Sequence, residues 1–87
     1  MRRMEIKLLG SQTCRACSIL EQLLFNILAE MDLAASVEKV HDRGKMIELG
    51  VASLPALIVD GEIKCSGRIP KKREIIVWLQ EADVSSP

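Results

Sequence analysis

The chain has 87 residues, 48% of them apolar and 28% charged, which suits one soluble domain with a modest core rather than two. Twelve basic and twelve acidic side chains cancel, so no electrostatic footprint for nucleic acid or a membrane surface is expected. One Phe, one Trp and no Tyr leave almost no aromatic platform for single-stranded nucleic acid and imply a core of Ile, Leu, Val, Met and Ala.

Met1-Arg2-Arg3-Met4-Glu5 is followed by an apolar stretch running only from Ile6 to Leu9 and interrupted by Lys7, too short for a signal peptide. No run approaches the roughly 20 apolar residues of a membrane span, so a cytoplasmic location is expected. Met4 to Leu9 alternates as a short strand, ended by Gly10-Ser11. Ile19, Leu20, Leu23, Leu24, Ile27, Leu28 and Met31 then recur at three- and four-residue steps, the stripe of a helix of about four turns, with Gln22, Asn26 and Glu30 on the other side. Ser36 to Val40 reads as a second strand. Asp42 can cap a brief helix over Lys45, Met46, Ile47 and Leu49, which Gly50 stops.

Ser53-Leu54-Pro55 leads into the apolar run Ala56 to Val59, and Asp60-Gly61 separates that run from Glu62 to Ser66. An Asp-Gly pair between two strand-like runs predicts a type I′ hairpin. Gly67 breaks the second strand, and Pro70 is expected in the first turn of a closing helix that buries Ile75, Ile76 and Leu79. The end, residues 84–87, should fray. The predicted order is βαβαββα: a mixed α/β fold of four strands and three helices, with the first two strands parallel and the hairpin antiparallel.

Three cysteines are too few, and the number is odd, for a disulfide scaffold in a small secreted domain. Two of them form Cys14-Arg15-Ala16-Cys17, between the first strand and the long helix. Thiolate is the reactive form of cysteine, and the unpaired N–H groups and dipole of a helix N-terminus stabilise it. Cys14, at the helix start, is placed to attack a disulfide. Cys17, one turn deeper, is placed to resolve the mixed disulfide. Arg15 adds a positive charge beside the nucleophile. Ser18-Ile19-Leu20-Glu21 could instead be a capping box that starts the helix after Cys17; an earlier start, with Thr13 near the cap, is preferred.

Gly10-Ser11-Gln12-Thr13-Cys14-Arg15-Ala16-Cys17, the segment from Gly50 to Gly61 containing Ser53-Leu54-Pro55, and Ser66-Gly67 together resemble the thioredoxin superfamily. More narrowly, the chain is similar to the small thioredoxin- and glutaredoxin-like redox-active disulfide proteins of bacteria and archaea. The resemblance covers nearly all of residues 1–87 and implies a single thioredoxin-like domain, a four-stranded mixed sheet flanked by three helices. It implies a thiol–disulfide oxidoreductase with Cys14 and Cys17 as the redox pair and no cofactor beyond the disulfide they form. It also implies a cis bond before Pro55, and a substrate groove bordered by Thr13, Arg15, Leu54, Pro55, Ser66 and Gly67. The implied partners are protein disulfides or dithiols and a reductase as electron donor, with the chain a monomer.

Two departures stand out. Thr13, Arg15 and Ala16 replace the Trp, Gly and Pro of the best-known members, and Ile6-Lys7-Leu8-Leu9 lacks the buried Asp that helps to move the proton of the resolving thiol. Here that step would use water or another group. Ser66-Gly67-Arg68-Ile69 lacks the acidic residues that hold glutathione in glutaredoxins, which leaves a protein dithiol as the implied partner.

Cys65 shares strand parity with Ile63 and is expected to point into the core. His41 is expected to be solvated, Arg68, Lys71, Lys72 and Arg73 to form a solvated face or a docking patch for an acidic partner, and Trp78 to pack on the closing helix. The alternative functions are a metal-binding module and a non-catalytic thioredoxin-like interaction module. A closed zinc site would lack a second cysteine pair and a suitably spaced histidine, so no metal ligands are assigned.

Overall fold

Why the chain folds where it does is clearest at Met4–Leu9 (β1), where alternate side chains must go to opposite faces of a sheet. A computed structural model of the protein describes residues 4–11 and 13–85. In it Met4, Ile6 and Leu8 of β1 enter one apolar cluster, while Leu9 enters another on the opposite face. β1 lies between two partners. Ala35–Val40 (β2) runs parallel to it, and Ala56–Val59 (β3) runs antiparallel. Glu62–Ser66 (β4) pairs antiparallel with β3, giving a four-stranded sheet in the order β2-β1-β3-β4.

Arg15–Met31 (α1) and Lys72–Ser85 (α3) cover one face. Leu20, Leu24, Ile27 and Leu28 of α1 and Ile75 and Leu79 of α3 are buried there against Met4, Ile6, Leu8, Leu57 and Val59, with Ile76 and Trp78 packed partly buried against them. Full burial of each such side chain contributes about 1.5–3 kcal/mol. Arg43–Glu48 (α2) serves the other face, where its Met46 joins Leu9, Val40, Val51, Ala56 and Ile58.

Local chemistry explains most boundaries. Asp42 caps α2 by accepting the Gly44 N–H at 2.9 Å. Asp60 and Gly61 have φ of 49° and 84°, the two positive values that a type I′ turn needs. Asp60 also fastens the hairpin to β1: its N–H donates to the Glu5 carbonyl at 2.7 Å, and its carboxylate accepts the Glu5 N–H at 3.0 Å.

Three expectations need correction. Ile19 is 52% exposed, because each residue turns a helix by about 100° and Ile19 falls outside the arc centred on Leu20, Leu24 and Ile27. Pro70 is buried but precedes α3 instead of lying in its first turn. The helix starts at Lys72 because the Glu74 carboxylate reaches back to the Lys71 N–H at 3.0 Å, the return half of a capping box. Cys65 is buried, as expected, but Ile63 is 43% exposed. A register shift between Leu57 and Ile58 pairs Leu57 with Cys65 and Ile58 with Ile63, so a bulge at Lys64 breaks the parity. α3 runs through Val84 to Ser85, into the end expected to fray; Ser86 and Pro87 lie outside the described residues, as do Met1-Arg2-Arg3 and Gln12.

The basic run at the start of α3 is partly neutralised. Arg68 makes a two-pronged pair with Glu74 at 2.8 and 2.9 Å, and Lys72 pairs with Glu30 at 3.0 Å. The Arg68 hydrogen bonds first, then the Lys71 N–H, hold the Glu74 carboxyl down at about 2. A carboxyl lowered in the folded state stabilises the fold fully above the ordinary carboxylate range, and that contribution is lost as pH falls through the folded value. The pair is solvent-exposed, so its effect is small. Glu74→Gln is expected to lower the melting temperature slightly at about pH 7 and to shrink the loss seen between about pH 5 and about pH 2. An unchanged acid loss in thermal melts would contradict the assignment.

Candidate active site

The site is built where β1 hands over to α1. Gly10 closes the strand with an N–H bond to the Val40 carbonyl at 3.1 Å, and the Cys14 N–H bonds to the Ser11 carbonyl at 3.2 Å. Cys14 itself is the N-cap of α1, with extended φ −86° and ψ 109°, and its sulfur accepts the Cys17 N–H at 3.1 Å. The helix therefore starts before Cys17 and not at a Ser18 box; Cys14 caps it, with Thr13 next to the cap as expected. Thr13 is exposed, its hydroxyl 3.4 Å from that of Ser11.

Cys14 and Cys17 are joined as a disulfide, with Cα atoms 5.2 Å apart. Both are half-buried, and Arg15 between them is exposed. The first turn of α1 holds no acidic residue, so nothing there opposes negative charge on a thiolate. The N–H aimed at the Cys14 sulfur and the positive end of the helix dipole both favour that charge.

The Leu54–Pro55 peptide is cis, and buried Pro55 shares a cleft with Cys17. The loop that carries it is tied to the end of β4. The Gly67 N–H donates to the Pro55 carbonyl at 2.9 Å, and the Ser66 hydroxyl donates to the Ser53 carbonyl at 2.9 Å. Leu54 is partly buried, packed on the α2-side cluster. Pro55, Ser66 and Gly67 are thus one connected loop pair, whose Pro55 lines the same cleft as Cys17; Thr13 and Arg15 flank Cys14 along the chain.

Two further residues belong to this site. Gly10 is buried so tightly that a Cβ on it would stand 2.5 Å from Cys17 Sγ and 2.6 Å from Cys17 Cβ. His41 is exposed, as expected, yet its ring Nδ1 stands 3.0 Å from the Gly10 carbonyl and the residue lines the Cys17 cleft. The Gly after β1 was visible in the sequence; nothing local marks His41, since its partner is 31 residues away. Cys65 is the free cysteine of the described residues, buried, its thiol 3.8 Å from the Arg68 carbonyl. Burial pushes this thiol up, which makes it the least reactive form of cysteine. Among the described residues, no group of three or more His, Cys, Asp and Glu is placed to hold a metal ion, and no helix is long and apolar enough to cross a membrane.

A family model described as a thioredoxin domain matches residues 4–80. The chain belongs to the thioredoxin family. It is 36% identical over 72 residues to a thioredoxin of Methanothermobacter thermautotrophicus, a match that covers 83% of this chain and 92% of that one. Among solved structures, a malarial protein superposes with a TM-score of 0.73 at 13% identity, covering 93% of this chain and 98% of the other. Thioredoxin-2, described as a component of the malaria parasite protein secretion machinery, also gives 0.73 at 13% identity, covering 91% and 82%. At that identity the structural likeness speaks for the fold alone, and it is the thioredoxin-like α/β fold that the resemblance implied.

Proposed function

We propose that this thioredoxin-family protein is a thiol–disulfide oxidoreductase that exchanges its Cys14/Cys17 dithiol with disulfides of protein substrates. The observation that carries the reading is the Cys14–Cys17 pair at the N-cap of α1, with the Cys17 N–H directed at the Cys14 sulfur. Cys14 is the attacking thiolate. Its sulfur forms a mixed disulfide with one substrate sulfur as the other leaves with the electron pair and takes up a proton. Cys17, held against Gly10 on the inner side of the pair, then attacks Cys14 Sγ and releases the second substrate thiol. The net change is one substrate disulfide reduced and one Cys14–Cys17 disulfide formed.

The loop pair of Leu54-Pro55 and Ser66-Gly67, together with Thr13 and Arg15, borders the groove for an extended substrate segment. Backbone pairing along such a groove tolerates many sequences. A dithiol that cycles needs a reducing compartment such as the cytoplasm and a reductase to restore it. The metal-binding alternative finds no third ligand among the described residues to join Cys14 and Cys17. Reduction of insulin disulfides tests the reading: the reduced protein is expected to generate insulin thiols, and a protein inert toward them would overturn it.

A further inference from the structure

Beside Cys17 lies a cleft of about 270 Å³ whose wall also includes Glu21, Lys39, His41, Gly10 and Pro55. The second half of exchange requires Cys17 to lose a proton before it can attack, and β1 supplies no carboxylate beneath it; no charged or polar side chain is buried among the described residues. We propose that His41 takes up the Cys17 thiol proton in the resolving step, through this cleft. The inference rests on the exchange reading and deepens it.

The geometry fixes the state of the ring. A carbonyl oxygen only accepts, so the 3.0 Å contact to Gly10 requires a proton on His41 Nδ1. In the neutral ring the lone pair is then on Nε2, ready to accept. Gly10 couples the two residues physically: one side of it packs on Cys17 and its carbonyl anchors His41. The cleft is large enough for a water between Nε2 and the thiol, since a water occupies about 30 Å³. Imidazole is also the side chain that most often serves as the general base in such proton transfers.

The charged neighbours in the cleft do not compete for this role. Glu21, one turn beyond Cys17 on α1, is already engaged: its carboxylate accepts a hydrogen bond from Lys39 of β2 at 2.9 Å. Lys39 lines the same cleft, and its positive charge favours the thiolate once formed. In the step itself, Cys17 Sγ gives its proton to His41 Nε2 and its electron pair forms the bond to Cys14 Sγ. The bond from Cys14 to the substrate sulfur breaks, and that sulfur leaves with the electron pair and is protonated by the imidazolium or by solvent.

The reaction of the fully reduced protein with a chromogenic aromatic disulfide, dithiobis-nitrobenzoate, separates the two halves. The first chromophore leaves when Cys14 attacks and the second when Cys17 resolves. His41→Asn keeps a side-chain N–H donor for the Gly10 carbonyl and removes the basic nitrogen. It is expected to leave the first phase unchanged and to slow the second about tenfold at neutral pH. The deficit should vanish above about pH 9, where a thiol ionises unaided, and added imidazole should restore the rate. A second phase that keeps its wild-type rate and pH profile in His41→Asn overturns the proposal while leaving exchange intact. Wild-type protein that releases no second chromophore overturns the exchange reading and this inference with it.

Discussion

Cys14→Ser is expected to abolish disulfide exchange, reducing insulin turnover to the rate without protein, because no other described thiol can take its place. Cys17 is pressed against Gly10 on the inner side of the pair, and Cys65 is buried in the core with its thiol pushed toward the unreactive protonated form. Cys17→Ser is expected to behave differently. Cys14 keeps its position at the N-cap of α1 and can still attack, but the intermediate cannot resolve, so a mixed disulfide at Cys14 accumulates. Non-reducing gels and mass mapping distinguish the variants. Trapping through Cys17 in the Cys14→Ser protein would reverse the two roles.

The second large effect belongs to a residue without any reactive group. Gly10→Ala places a methyl group 2.5 Å from Cys17 Sγ and 2.6 Å from Cys17 Cβ, and the Cβ cannot swing aside because the α1 backbone holds it. Overpacking of this kind costs about 1–3 kcal/mol. For a domain of this size, each kcal/mol moves the melting temperature by about 4–8 °C. A drop on the order of 10 °C is therefore expected, together with slower closure of the Cys14–Cys17 disulfide, since Cys17 must shift. Gly44→Ala is the control: its nearest atom is Asp42 Oδ1 at 3.4 Å, and replacing a helical Gly by Ala contributes about 0.5–1 kcal/mol of stability. If the two substitutions melt alike, Gly10 does not support the dithiol in the manner described.

Features whose cause is local were legible from the residues alone. The strand at Met4–Leu9, the apolar stripe of α1, the Asp42 cap and the Asp60-Gly61 turn all follow from periodicity and turn chemistry within a few positions. The Cys14–Cys17 pairing was equally legible, because two cysteines three apart at a strand-to-helix junction restrict what the backbone can do with them. Features whose cause is distant were not. Ile63 is exposed although it lies two residues from buried Cys65, for a reason that no reading of β4 contains: the bulge between them belongs to the pairing with β3. The start of α3 was misplaced because Pro70 is a plausible first-turn residue, whereas the deciding contact is the Glu74 carboxylate on the Lys71 N–H. His41 and Gly10 show the same limit at the site, where a contact across 31 residues brings an imidazole to the wall beside Cys17.

The most direct test of the exchange account is a single turnover with stoichiometry. Fully reduced protein is mixed with excess insulin, quenched with acid, alkylated and mapped by mass. For every pair of insulin thiols that appears, the account predicts one Cys14–Cys17 disulfide, with Cys65 recovered as a free thiol. Insulin that stays oxidised, or insulin thiols matched by a bridge to Cys65, would contradict it.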